Sequence, residues 1–201
     1  MTNRREFLQI GMAAASVWPL AAEAARATSI ALPAGAALPL YKVIYDVRFP
    51  HSVAFARRAA ELGAVVHAIE GDMTRVWYDD VYHRWKQGAV AIAGLTAHGP
   101  MFCFEQLALD LGMRVVFRAQ HSSAAEGCVD HELSGPVGLL DDARGAVGRA
   151  DWTARMAELV MRCPSGRSEI GSVAGRTAAS AVAEIHGESL YSWVIAPAVR
   201  V

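Results

Sequence analysis

The chain has 201 residues, 53% of them hydrophobic and 19% charged, with a formal net charge of −1. That is enough apolar material for one packed domain, and it excludes an intrinsically disordered chain. No basic excess is present to neutralise phosphates, so nucleic acid is not an expected partner.

The N-terminus reads Thr2-Asn3-Arg4-Arg5-Glu6-Phe7-Leu8-Gln9. It resembles the twin-arginine translocation signal: a polar residue, two arginines, a variable residue, then Phe-Leu and often Lys. Asn3 stands where Ser or Thr is usual, and Gln9 replaces the Lys. A weak apolar stretch from Ile10 to Leu20 follows, broken by Pro19 and too short to span a bilayer as a helix. Small-x-small cleavage patterns then occur at Ala22-Glu23-Ala24 and Ala25-Arg26-Ala27. The resemblance implies export of an already folded protein to the periplasm, with residues 1–27 removed and no stable membrane anchor left. Twin-arginine cargo often carries a cofactor or travels with a partner that does. The signal holds Arg4, Arg5 and Arg26 against Glu6 and Glu23, which leaves −2 on the remainder.

Residues 28–39 are small, punctuated by Pro and Gly and without a period, and read as a linker to a single domain over 40–201. The spacing then predicts a strand over Tyr41–Val47 and a helix from a Ser52 cap to Leu62, stopped by Gly63. The unit repeats: a strand over Ala64–Ile69, a helix from an Asp72 cap through Lys86, and Gly88 as its stop. It repeats again with an apolar strand over Ala89–Leu95, a helix starting at Pro100, and Gly112 as its stop. A fourth strand is expected over Met113–Ala119. After a turn at Ser122–Gly127, Cys128–Leu133 alternates as an antiparallel strand. Helices are expected from an Asp151 cap to Cys163 and over about Glu169–His186, then a last apolar strand over Leu190–Ala196.

Successive β-α units with short loops imply a parallel sheet with right-handed crossovers. The expected fold is α/β, a flavodoxin-like three-layer sandwich with a mainly parallel sheet and an antiparallel edge addition. Helices 52–62 and 100–111 should lie on opposite faces if the strand order begins 2-1-3-4. The last strand joins either the core sheet or the edge addition.

Ligands of such sheets bind beyond the carboxyl ends of the strands, where the order reverses. The first strand ends in Asp46-Val47-Arg48-Phe49-Pro50-His51-Ser52. Arg48 could grip a carboxylate or phosphate at a helix N-terminus, with His51 and Ser52 beside it; alternatively, Asp46 and Arg48 pair with each other and Ser52 only caps. The third strand leads into Thr96-Ala97-His98-Gly99-Pro100 and then Cys103. His98 is a candidate acid/base, with Asp46 orienting it; otherwise it makes a loop hydrogen bond. Cys103 is either a thiol activated in a first helical turn or a small core residue between Phe102 and Phe104. The fourth strand offers Arg118 and His121 as ligand contacts. His51, His98 and His121 could converge on a metal, or be independent surface histidines. Trp77, Tyr78, Tyr82 and Trp85 crowd one helix, where they could stack a flavin-like cofactor or simply pack the core.

The nucleotide-binding G-x-G-x-x-G, Walker A, G-x-S-x-G and H-E-x-x-H patterns are absent. Cys103, Cys128 and Cys163 form no C-x-x-C spacing, which removes redox-dithiol and c-type haem readings. The expected function is a periplasmic small-molecule-binding or accessory subunit, its partner a small anionic organic ligand or another periplasmic subunit. The alternatives are a small cofactor-independent lyase, isomerase or hydrolase using His98, Asp46 and Arg48, or a carrier of a flavin-type cofactor.

Overall fold

The computed structural model describes residues 35–178 and 187–198. The signal and most of the linker, with the segment 179–186, lie outside these. Three β-α units open the fold. The first is β1 (Leu40–Asp46) and α1 (Pro50–Glu61). The second is β2 (Val66–Ile69), then α2 (Thr74–Val76), a π-helical turn (Trp77–Val81) and α3 (Tyr82–Gln87). The third is β3 (Ala91–Ala97) and α4 (His98–Leu109). A meander follows, β4 (Met113–Ser123), β5 (Val129–Pro136) and, after α5 (Val137–Ala146) and α6 (Trp152–Met161), β6 (Ile170–Thr177). β7 (Leu190–Pro197) closes the sheet.

The seven strands form one mixed sheet in the order β2-β1-β3-β7-β4-β5-β6. β2, β1 and β3 are parallel, and every later pairing is antiparallel. The fold is therefore α/β as expected, but its parallel part stops at β3. β4 does not lie beside β3, because β7 occupies that slot. The reason is burial. Trp193, Val194, Ile195 and Ala196 are all inside, and a strand apolar on both faces needs a neighbouring strand at each edge as well as helices above and below. The last strand thus joins the core sheet, at its centre, and not the edge addition.

α1, α5 and α6 cover one face, where Phe55, Ala59, Leu140, Ala143, Trp152 and Met156 share a core with Val43, Leu95 and Phe117. The α2–α3 segment and α4 cover the other, where Trp77, Trp85, Met101 and Phe104 pack on Ile44, Ile92 and Trp193. α1 and α4 thus lie on opposite faces, as the sequence predicts. β3 is buried throughout. Its Gly94 is there because a Cβ would collide with the Ile44 carbonyl and stand 2.6 Å from the Trp193 ring.

Two further expectations are corrected. The helix expected from Glu169 is instead the strand β6 as far as Thr177; the rest of that expected helix, 179–186, lies outside the described residues. Gly171 and Gly175 weaken a helix, and they let the strand approach α5: a Cβ at Gly175 would collide with the Val147 side chain. α5, which the sequence pattern does not reveal, fills the face beneath β5 and β6. Its stripe Leu139, Leu140, Ala143 and Ala146 is buried, and three glycines, Gly138, Gly145 and Gly148, interrupt the helical signal there.

Candidate functional site at the ends of the strands

β1 and β3 are hydrogen-bonded neighbours, with Tyr45 opposite Leu95. The helices that follow them leave toward opposite faces, so both helix N-termini open at the same crevice. α1 starts at Pro50, two residues earlier than the sequence suggests, since Pro fixes a helical φ and has no N–H to waste. Ser52 is consequently not the cap. It is buried in the first turn, and its hydroxyl donates to the Leu95 carbonyl at 2.7 Å, tying α1 to β3. α4 starts at His98 after an extended Ala97. Neither helix has a side-chain cap or an acidic residue in its first turn, so both ends keep the positive character of free N–H groups and helix dipole.

The Asp46 carboxylate is fully buried on the crevice floor and is gripped by Arg48. Arg48 Nε donates to Oδ1 at 3.0 Å, Nη2 to Oδ2 at 2.7 Å, and the backbone N–H to Oδ1 at 3.2 Å. The guanidinium lies over the Phe49 ring and reaches Glu188 at 3.6 Å. It crosses the β2–α2 turn at Gly71, where a Cβ would meet its carbon at 2.6 Å and the φ of +76° favours glycine anyway. The Asp46 hydrogen bonds, with Glu188 and Glu70 further off, raise the Arg48 pKa, so it stays charged. Thr96 donates to the Ala97 carbonyl and accepts from Trp193 Nε1 at 3.2 Å. His98, the first residue of α4, is exposed, stacked on Phe102 and edge-on to Tyr191 of β7. The structure brings His98, Arg48 and Asp46 to the same end of the sheet, but Asp46 is hydrogen-bonded to Arg48 and not to His98. The self-pairing alternative describes Asp46 and Arg48.

On the opposite face, the ends of β4, β5 and β7 enclose a second polar group. His121 and His131 face each other across β4 and β5, fully buried, with Nδ1 atoms 2.7 Å apart. His121 Nε2 is 2.8 Å from Ser192 Oγ, and His131 Nε2 is 2.8 Å from Thr177 Oγ1. Thr177 Oγ1 is also 2.6 Å from the Val147 carbonyl. That carbonyl fixes every proton in the chain. A carbonyl only accepts, so Thr177 spends its one O–H on it and must accept from His131 Nε2–H. Neutral His131 then has Nδ1 as acceptor, so His121 carries its proton on Nδ1. His121 Nε2 is left to accept from Ser192 O–H. Burial pushes the His131 pKa down to about 4, against a small upward pull from Asp130. It holds His121 well below its ordinary value too, with the neighbouring His131 and His51 acting in the same direction. Trp152 of α6 packs on both rings at centroid distances of 4.4 and 5.0 Å. His51, half-buried at the crevice, stacks on Trp152 at 5.4 Å. The geometry puts a hydroxyl, a base in the acceptor tautomer and an orienting group in line. Ser192 is nevertheless sealed in a central strand, which suits a structural relay and not attack on a substrate.

Sequence reasoning picks out His121 and misses His131, Ser192, Thr177 and Trp152 as its partners. The available clue is the turn at Ser122–Gly127, because a hairpin centred on residue 126 sets 121 opposite 131. The other candidates disperse. Arg118 points to the α4 face and pairs with Glu105 at 2.5 Å. Cys103 is exposed, not a core residue, and sits in the second turn of α4 because that helix starts at His98. His98 lies against Tyr191 on one face while His51 and His121 flank Trp152 on the other, so the three histidines do not converge. No group of three metal-ligating side chains occurs among the described residues. Trp77 and Trp85 are buried edge to face against each other, which is core packing; Tyr78 points outward. No described helix is long and apolar enough to cross a membrane. Comparison with protein-family models, with curated proteins and with solved structures finds no match.

Proposed function

We propose that this is an exported binding or accessory protein that takes a small organic molecule with an anionic group at the crevice between β1 and β3. One observation carries the reading: adjacent parallel strands send α1 and α4 to opposite faces, so two uncapped helix N-termini open on one crevice. Arg48, its charge shared with the buried Asp46 carboxylate, stands half-exposed at the crevice edge and orders the β1–α1 turn, while the two helix N-termini supply the positive field and His98 lines the α4 side. Glu70 and Glu188 at the Arg48 side favour a ligand whose far end is neutral or cationic. The twin-arginine pattern at Arg4-Arg5 supports export, and the flavodoxin-like half β2-β1-β3 is the part that would hold the ligand.

Calorimetric titration of residues 28–201 with a panel of small carboxylates and phosphate monoesters tests the site. Gly99, in the first turn of α4, has an ordinary φ and open space where a Cβ would stand. Gly99→Asp places a carboxylate at that N-terminus, where it should leave the fold as stable or more stable yet weaken anion binding about tenfold or more. Binding that is unchanged in Gly99→Asp refutes the location. Turnover of a panel compound that vanishes in His98→Ala replaces the binding reading with acid/base catalysis. Export is tested by fractionation: Arg4→Lys with Arg5→Lys should retain the precursor in the cytoplasm.

A further inference from the structure

At the other end of the sheet, where β4 and β6 begin and β5 and β7 end, an open groove of about 240 Å³ runs between Val116, Pro136, Pro164, Ile170 and Pro197. A second hollow of about 300 Å³ shares Val116 and Ile170 with it and continues toward Arg118. Three features make this a shaped apolar surface. Val116 is a β-bulge between Val115 and Phe117 of β4, which turns an extra side chain out of the ladder. Gly135 stands opposite, where a Cβ would collide with the Phe117 ring at 2.8 Å and narrow the hollow. Ile170, 60% exposed, adds its aliphatic side chain to the wall shared by both hollows.

The mouth of the first groove carries positive charge, and Glu105, in the adjoining hollow, is held by Arg118. Arg114 and Arg167 both line it. Arg114 donates to the Met113 carbonyl at 2.7 Å and approaches that of Leu109 at 3.5 Å; neither arginine meets a carboxylate among the described residues. Most other arginines of the fold are paired, as Arg48, Arg58, Arg118 and Arg176 are. Glu169 is close in sequence, and its carbonyl accepts from Val137 N–H. Two guanidinium groups beside an apolar trough match a ligand with a carboxylate at one end and a hydrocarbon body.

We propose that this groove binds a short amphipathic carboxylate, an aliphatic or aromatic monoacid, at a site separate from the β1–β3 crevice. Octanoate is the probe, titrated calorimetrically into residues 28–201, with 1-octanol as the uncharged analogue. Saturable octanoate binding is expected, with 1-octanol weaker by about tenfold or more and a similar loss in the Arg114→Met, Arg167→Met double variant. Both arginines are exposed, so this variant should fold, and its circular dichroism is the check. Both comparisons are repeated in the Gly99→Asp chain, where the β1–β3 crevice no longer competes for the carboxylate; a saturable octanoate site that depends on Arg114 and Arg167 should remain there. Absence of saturation, equal binding of octanol, unchanged binding in the double variant, or absence of that site in the Gly99→Asp chain would each overturn the assignment.

Discussion

Thr177→Val tests the proton order of the buried chain. The substitution keeps the shape and deletes the hydroxyl that accepts from His131 Nε2–H at 2.8 Å and donates to the Val147 carbonyl at 2.6 Å. Both abandoned groups are buried, and each stranded partner costs about 1–3 kcal/mol. Some of this is recovered because the imidazole can retautomerise and the site can relax around the new methyl group. A net loss of about 2–3 kcal/mol is therefore expected, roughly 5–10 °C in Tm for a domain of this size. Urea denaturation gives the stability, provided the m-value is unchanged. Nitrogen-15 NMR gives the tautomers: His121 protonated at Nδ1 and His131 at Nε2 in the parent, with that fixed order relaxed in the variant. A His121 protonated at Nε2 in the parent, or a variant within about 0.5 kcal/mol of it, would refute the argument, because the carbonyl would not be setting the chain.

Acid should act on the same group. The folded-state pKa of His131, about 4, and that of His121 lie below the unfolded value near 6.5. Their contribution is whole above about pH 6.5 and lost as the pH falls toward about 4. His131 alone is worth roughly 3 kcal/mol over that window, and urea midpoints at pH 7 and 4.5 read it before most paired carboxylates titrate. Midpoints equal at the two pH values would exclude it. Arg48→Met strands the buried Asp46 carboxylate; with the guanidinium 42% exposed, about 2 kcal/mol of destabilisation is expected by thermal unfolding, and a neutral variant would mean Asp46 is satisfied by other groups. Gly94→Ala forces a methyl against the Ile44 carbonyl and Trp193; a loss of about 3 kcal/mol or more, or failure to fold, is expected, and wild-type stability would contradict the packing between β1, β3 and β7.

Periodicity carried the first half of the chain and failed in the second for a physical reason. In β1 through α4 each element buries its own stripe against the next, so local pattern and tertiary neighbour agree; Phe55 and Ala59 on α1 and the wholly apolar β3 could be read directly. From β4 onward the partners are distant in sequence. β7 pairs with β3 and β4 across roughly 70–100 residues, and nothing within Leu190–Pro197 names its neighbours. β6 is a strand because β5 supplies its ladder and because Gly175 clears Val147, both tertiary facts. The candidate site divides in the same way. Asp46, Arg48, Ser52, Thr96 and His98 were legible because strand ends and helix starts are marked by Pro, Gly and polar residues. The His121–His131 chain was not, since Ser192 and Thr177 look like ordinary strand residues until the sheet is assembled. Its placement links the two halves: Trp152 packs at a tilt against His121 and His131 and stacks face to face on His51 of the crevice. A crevice residue thus rests on a ring whose other contacts belong to one carbonyl-anchored set of hydrogen bonds, and under the proposed function that set would position His51 for the ligand.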